Sequence, residues 1–210
     1  MKIKIPTSWS QITVQQWMDA ERAKDDRFGV VGAVSNMTAA ELRKVSEVAM
    51  TAAHQATLEL LSRRPSQLYR EIRLNGEVLA FIPNWDEFTA GEFADAEYFA
   101  SNLSECAHEF LAVMYRRYDP KSRHRRRLVP YDQPDNADAF LQAPADILGG
   151  CFLFFYLIDE HYRNGMLQSL AAAAIAKSPK NMAGITRSTS WLAKMRQKWT
   201  KSKDGRWRGR

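Results

Sequence analysis

Three stretches of this sequence share one helix-starting signature, and together they commit most of the chain to α-helix. They are Ile12-Thr13-Val14-Gln15-Gln16-Trp17, Met37-Thr38-Ala39-Ala40-Glu41-Leu42 and Phe88-Thr89-Ala90-Gly91-Glu92-Phe93. In each, the Thr side chain is placed to accept from the third backbone N–H of a helix, and the Gln or Glu to reach back to the Thr N–H. That is a capping box, and the flanking apolar pair, five apart, can close over it as a hydrophobic staple. The segments that follow differ, so these are stability devices and not a repeat.

Apolar spacing extends the helices. The first is expected over 14–26 and the second over 39–62, with Leu42, Val45, Ala49, Ala52, Ala56 and Leu60 on one side. Arg63-Arg64-Pro65 ends the second. A third is expected over 90–115, with Phe93, Ala96, Ala100, Leu103, Ala107, Phe110, Leu111 and Met114 as its stripe. A short helix over 138–142 and a long one over 144–177 complete the body, with Pro144 at a first helical position. Cys151 to Ile158 is apolar all round and is expected to be central. The β signal lies between the second and third helices. Strands over 69–74 and 77–82 flank Asn75-Gly76, a pair suited to the positive φ angles of a two-residue type I′ turn. The expected fold is mainly α: a helical bundle with one β-hairpin packed on it, a body over 1–177 and a basic C-terminal helical tail over 178–210.

The chain is 45% hydrophobic, enough to build a core. Its longest apolar run, Ile147 to Ile158, is 12 residues, against the roughly 20 that a membrane span needs. Met1 to Trp9 has no apolar leader region, and Cys106 and Cys151 cannot form a disulfide framework. A reducing cytosol is the expected compartment.

The net charge of +6 is unevenly spread. Residues 177–210 hold 11 Lys and Arg against Asp204, whereas residues 1–176 carry 19 basic and 23 acidic residues. Such asymmetry points to an interaction appendage. Two basic surfaces follow. Residues 116–137 read as a long loop carrying Arg116, Arg117, Lys121, Arg123, Arg125, Arg126 and Arg127, able to neutralise phosphates. The plainer reading is a solvated loop pairing with the carboxylates of an acidic body. In the tail, Trp191, Leu192, Met195 and Trp199 make an apolar stripe if helical, with Lys194, Arg196, Lys198 and Lys201 around it. That pattern fits a segment docking in a groove, an interfacial membrane helix, a nucleic-acid contact, or packing on its own domain. Lys201 to Arg210 reads as too polar to fold alone.

Chemistry-bearing motifs are missing. Cys106 with His108, and Cys151 with His161, have no zinc spacing. Asp159-Glu160-His161 diverge around a helix axis and cannot converge on one atom. No phosphate loop, dinucleotide fingerprint, nucleophile elbow or His-Glu-x-x-His is present. The expectation is a non-enzymatic binding protein without metal or cofactor.

The order of features resembles a group of small tailed-bacteriophage proteins described as tail assembly chaperone-like. The matching stretches are Ile5-Pro6-Thr7-Ser8-Trp9 with the first capping box, the hairpin, Phe88 to Phe93, Asn102-Leu103 leading to Ala112-Val113-Met114-Tyr115-Arg116, Leu128-Val129-Pro130-Tyr131-Asp132, and the aromatic Phe152 to Tyr156. They cover roughly residues 3–160 and include no catalytic motif. The basic tail lies outside the pattern. The resemblance implies reversible contacts with tape-measure, tail-tube or neck proteins, self-association into a homo-oligomer, and residence in the host cytoplasm or the virion. The alternatives are a structural virion protein at the head–tail or tail region, or a nucleic-acid-binding accessory protein using the basic loop and tail.

Overall fold

The computed structural model describes residues 3–82, 88–121, 127–134, 136–177, 199–201 and 207–209. It is mainly helical with a small antiparallel sheet. The chain divides into two compact units, Met1–Cys151 and Phe152–Arg210. This division falls inside a helix that runs on to Lys177, after which the sequence places the start of the tail.

All three capping boxes form. Thr13, Thr38 and Thr89 accept from the backbone of Gln16, Glu41 and Glu92, whose side chains bond back to the Thr N–H. They start α1 (Val14–Arg22), α3 (Ala39–Leu42) and α5 (Ala90–Ser101). The staple over α5 closes as an edge-on contact of Phe88 and Phe93, ring centroids 6.4 Å apart.

The helices stop sooner than their apolar spacing suggests, each time at a residue that caps or turns the chain. The helix expected to reach residue 26 ends at Arg22, and Asp26 caps a separate α2 (Arg27–Ser35) by accepting from Phe28 N at 3.0 Å. The helix expected over 39–62 is α3, a turn, and α4 (Glu47–Ser62), because Ser46 caps α4 through Ala49 N. The turn resets the helical phase: α4 buries Met50, Ala53, Thr57 and Leu60, and turns Ala52 and Ala56 outward. The helix expected over 90–115 breaks at Asn102 (φ −126°, ψ 41°), whose amide donates to the Tyr98 carbonyl, and resumes as α6 (Leu103–Met114).

α6 is the centre of the first unit. Ala107, Phe110, Leu111, Ala112, Val113 and Met114 are all buried, and α1, α5 and the 3₁₀ turn Ala137–Gln142 pack on it. α2 bridges α1 to α4, and Val31, Leu42, Met50 and Ala53 form a second apolar cluster there. Trp9 is buried, lies 6.2 Å from Trp17 and donates its indole N–H to the Leu60 carbonyl at 2.8 Å, tying the N-terminal segment to the end of α4.

The hairpin is β1 (Glu71–Leu74) and β2 (Glu77–Phe81), with Asn75 at φ 51° and Gly76 at φ 82° as a type I′ turn requires. A third strand, β3 (Tyr115–Arg117), pairs antiparallel with β2. The reading of 116–137 as one long loop is corrected at its start: Tyr115 follows α6 directly in extended conformation, and β2 offers it an open edge. The chain then returns along β3, with Val129 N donating to Arg117 O at 3.0 Å and Tyr118 bridging Leu128.

The last helix, α7, spans Asp146–Lys177 and starts two residues after Pro144. Pro144 instead sits in a bridge opposite Thr13, framed by Val14 N to Ala143 O and Ala145 N to Ile12 O, each 2.9 Å. Having no N–H, proline fits between those two donors at no cost. A Cβ on Gly150 would stand 2.0 Å from the Gln67 carbonyl oxygen, so the start of α7 seats against backbone that only glycine admits. The stretch Cys151 to Ile158, expected to be central because it is apolar all round, is not uniformly buried. Cys151 and Phe155 are buried, Phe152 to Phe154, Leu157 and Ile158 are partly buried, and Tyr156 is 53% exposed.

In the second unit, Trp199–Lys201 forms β4 and pairs antiparallel with β5, Trp207–Gly209. Trp199 is therefore in a strand and not on the expected helix, and the segment after Lys201 is not wholly without secondary structure. The residues at these positions favour it, since Trp and Thr prefer extended backbone.

Candidate functional site

Where β2, β3, the end of α6 and the returning segment meet, they enclose a cleft of about 420 Å³. Its floor is apolar: Leu79, Ala112, Tyr115 and Phe140. Its rim is polar, with Asn75, Glu77, Arg117, Gln133 and Asn136, and Val129, Pro130 and Tyr131 form one wall. An apolar floor under a few oriented polar groups is the usual build of a recognition site.

Arg116 sets the geometry of that wall. It points inward, 16% exposed, and its guanidinium lies 2.8 Å from Glu92 Oε1. It also donates to the Val129 carbonyl at 3.1 Å and sits 6.0 Å from the centre of the Tyr131 ring. Burial lowers its pKa, with Glu92 and then Tyr131 opposing that shift. Glu92, 1% exposed, is the capping-box residue of α5, so one carboxylate closes a helix start with one oxygen and holds the strand arginine with the other. Tyr131 donates to Asp95 at 2.5 Å, and burial first, then that bond, raises its pKa. Tyr115, on the floor, donates to the Tyr69 carbonyl at 2.7 Å, and burial raises its pKa strongly. Tyr69 in turn donates to Asp146 at 2.8 Å, and is pushed up to about 12 by burial and by that bond. The raised pKa values keep the Tyr69, Tyr115 and Tyr131 hydroxyls protonated near neutrality, as the donors that fix the wall and floor of the cleft.

The basic residues singled out in the sequence separate. Arg116 lies on β3 and not in a solvated loop, and is paired internally with Glu92. Arg117 lies at the cleft rim, exposed, 3.6 Å from Glu77. Lys121 and Arg127 are exposed at the two ends of the strand extension, where Asp119 N donates to Arg127 O at 2.7 Å. Arg123, Arg125 and Arg126 lie outside the described residues, as do Trp191, Leu192, Lys194, Met195 and Lys198 of the tail.

Sequence reasoning missed Asp95, Tyr131 and Phe140 as site residues, and read Glu92 as a cap alone. The signal for Glu92 was faint: a single carboxylate facing a stretch with seven basic residues gives no register. Among the described residues no cluster of three metal-ligating side chains occurs. His108 Nδ1 lies 2.9 Å from the neighbouring Glu109 Oε2, and burial raises the pKa of both Cys106 and Cys151. No helix among the described residues is long and apolar enough to cross a membrane. Set beside protein-family models, curated proteins and solved structures, the chain matches none of them.

Proposed function

We propose that this chain is a non-enzymatic bacteriophage assembly protein, similar to tail assembly chaperones, that holds an apolar segment of a tape-measure, tail-tube or neck protein. One observation carries the reading: a cleft with an apolar floor whose ionisable neighbours are already spent on one another, Arg116 on Glu92 and Tyr131 on Asp95. Such a site offers surface and shape to a partner side chain and no group poised for acid–base work. The resemblance over roughly residues 3–160 names the class of partner. The Trp-containing tail supplies a second contact, with Trp191 and Trp199 as anchors and Lys194 and Lys198 steering encounter.

Co-expression with the tape-measure and tail-tube proteins of the same phage tests it. A soluble complex is expected to co-purify. Val129→Glu at the 37%-exposed cleft wall is expected to reduce its yield several-fold without changing the melting temperature of the free protein. Trp191→Ala with Trp199→Ala is expected to weaken the same complex. Failure to co-purify with any tail or neck protein sinks the proposal. The second reading, a nucleic-acid-binding accessory protein, is favoured by exposed Arg117, Lys121 and Arg127 on one strand extension. It requires DNA affinity that falls steeply with salt and that deletion of 177–210 weakens.

A further inference from the structure

The three-stranded sheet has two edges, and they are treated differently. The outer edge of β3 is covered by the chain's own return, through Val129 N to Arg117 O and the Tyr118–Leu128 bridge. The outer edge of β1 has no such cover among the described residues: β1 pairs with β2 alone. The register determines which groups that edge presents. Leu74 opposite Glu77 closes a two-residue turn and is a hydrogen-bonded pair, and so is Ile72 opposite Leu79. The N–H and C=O of Glu71 and Arg73 therefore point away from β2. No hydrogen bond among the described residues engages them. Both side chains are exposed, and Arg73 has no ion pair among the described residues. Glu71 accepts from the Tyr118 hydroxyl at 2.5 Å through Oε1, and its Oε2 has no hydrogen bond among the described residues.

An uncovered edge strand is a template for another strand, and proteins ordinarily blunt it. Here the charges choose the partner. A two-fold axis allows three antiparallel registers in which the free groups of this edge meet their own kind. Centring on residue 71 sets Glu71 against Glu71, and centring on residue 73 sets Arg73 against Arg73. Both place like charges directly opposite, which destabilises a ladder. Centring on Ile72 alone sets Glu71 of each copy opposite Arg73 of the other, twice over, with their backbone groups forming the hydrogen-bonded pairs.

We propose that β1 pairs with β1 of a second copy, antiparallel about a two-fold axis through Ile72, joining two three-stranded sheets into one of six strands. The contact is isologous, as a two-fold dimer requires. It is short, so the association is weak and concentration-dependent, suited to a reversible assembly step. It does not depend on the phage reading above.

Sedimentation of the full chain over a range of concentrations tests it. The unaltered protein is expected to show a reversible monomer–dimer equilibrium. Glu71→Arg alone sets Arg against Arg, and Arg73→Glu alone sets Glu against Glu. Each is expected to weaken the dimer about tenfold or more. Mixing the two variants restores both opposite-charge pairs, and is expected to return the association close to its original strength. The mixture is also the folding control, since chains that had lost their fold could not recover it on mixing. The proposal is overturned if the unaltered protein stays monomeric at its highest soluble concentration, if either reversal associates as before, or if the mixture fails to recover.

Discussion

Helices α3 and α5 open with the same four-residue device and carry different loads. At α3, Thr38 accepts from Glu41 N at 3.3 Å and Glu41 Oε2 accepts from Thr38 N at 2.8 Å. At α5, the matching distances for Thr89 and Glu92 are 3.2 and 2.5 Å. Locally the two are near copies. Around them they differ. Among the described residues Glu41 bonds within its own turn, to Thr38, at the surface. Glu92 is 1% exposed and reaches across to Arg116 on β3. A capping box announces where a helix begins; what the box is worth depends on where the tertiary fold puts its carboxylate.

The largest expected effect follows from that difference. Glu92→Ala leaves the guanidinium of Arg116 buried without its counter-charge, and breaking a buried pair from one side costs about 3–5 kcal/mol. The loss should appear in chemical denaturation as a lower midpoint with an unchanged slope. Glu92→Leu with Arg116→Met should recover most of it, because replacing both partners by apolar groups removes the stranded charge. Glu41→Ala should cost far less. Equal losses at Glu92 and Glu41 would erase the distinction between the two helix starts.

Next come the two threonines. Thr89→Ala and Thr38→Ala each remove one side-chain acceptor from a backbone N–H, worth about 1 kcal/mol. The two losses should be similar, since the hydroxyl does the same work at both helices, and only the carboxylates should separate them. A much larger loss at Thr89 would mean that the hydroxyl also holds Glu92 in place for Arg116.

The tyrosines near the cleft extend the test to alkaline pH. Burial, and the bond to Asp95, raise the Tyr131 pKa; burial, and the bond to Asp146, push Tyr69 up to about 12. A raised pKa in the folded state means stability that is whole below the ordinary tyrosine value near 10 and is lost as pH climbs through the folded value. Unfolding free energy should therefore be level up to about pH 10 and decline from there towards 12. Tyr69→Phe should make that decline shallower. Tyr131→Phe should in addition cost about 1 kcal/mol at neutral pH for the lost hydrogen bond.

Much of the architecture was legible because it is written in local chemistry. The three Thr-x-x-Gln/Glu boxes and Asn75-Gly76 each specify backbone groups within four residues of themselves, and all four formed. What was illegible depends on distance. Ser46 and Asn102 interrupt helices whose apolar spacing runs straight through them, and a lone Ser or Asn inside such a pattern looks like any surface residue. Tyr115–Arg117 forms a strand because β2, more than thirty residues earlier, offers an edge. The cleft suffers the same blindness: Arg116 and its exposed neighbour Arg117 look alike in the sequence, and the approach of α5 distinguishes them.

The smallest expected effect isolates the exposed box. The carboxyl of Glu41 is held below its ordinary value, first by the Thr38 backbone N–H and then by the Thr38 hydroxyl. A depressed pKa means that its contribution is present above the unfolded carboxyl value, near 4.5, and is lost as pH falls through the lower folded value. Glu41→Gln keeps an acceptor for the Thr38 N–H and removes the charge. At pH 7 the variant should be slightly less stable, because a neutral amide accepts more weakly than a carboxylate and gains less from the positive end of the helix dipole. Between pH 7 and 5 that gap should hold steady. Below about 4.5 it should close, as protonation turns the natural glutamate into a neutral group like the one replacing it. Melting temperatures of the two proteins measured in parallel from pH 7 to 3 give the comparison. A gap that does not change with pH would mean that the Glu41 charge plays no part in starting α3, and that this box, unlike the one at α5, works through its hydroxyl alone.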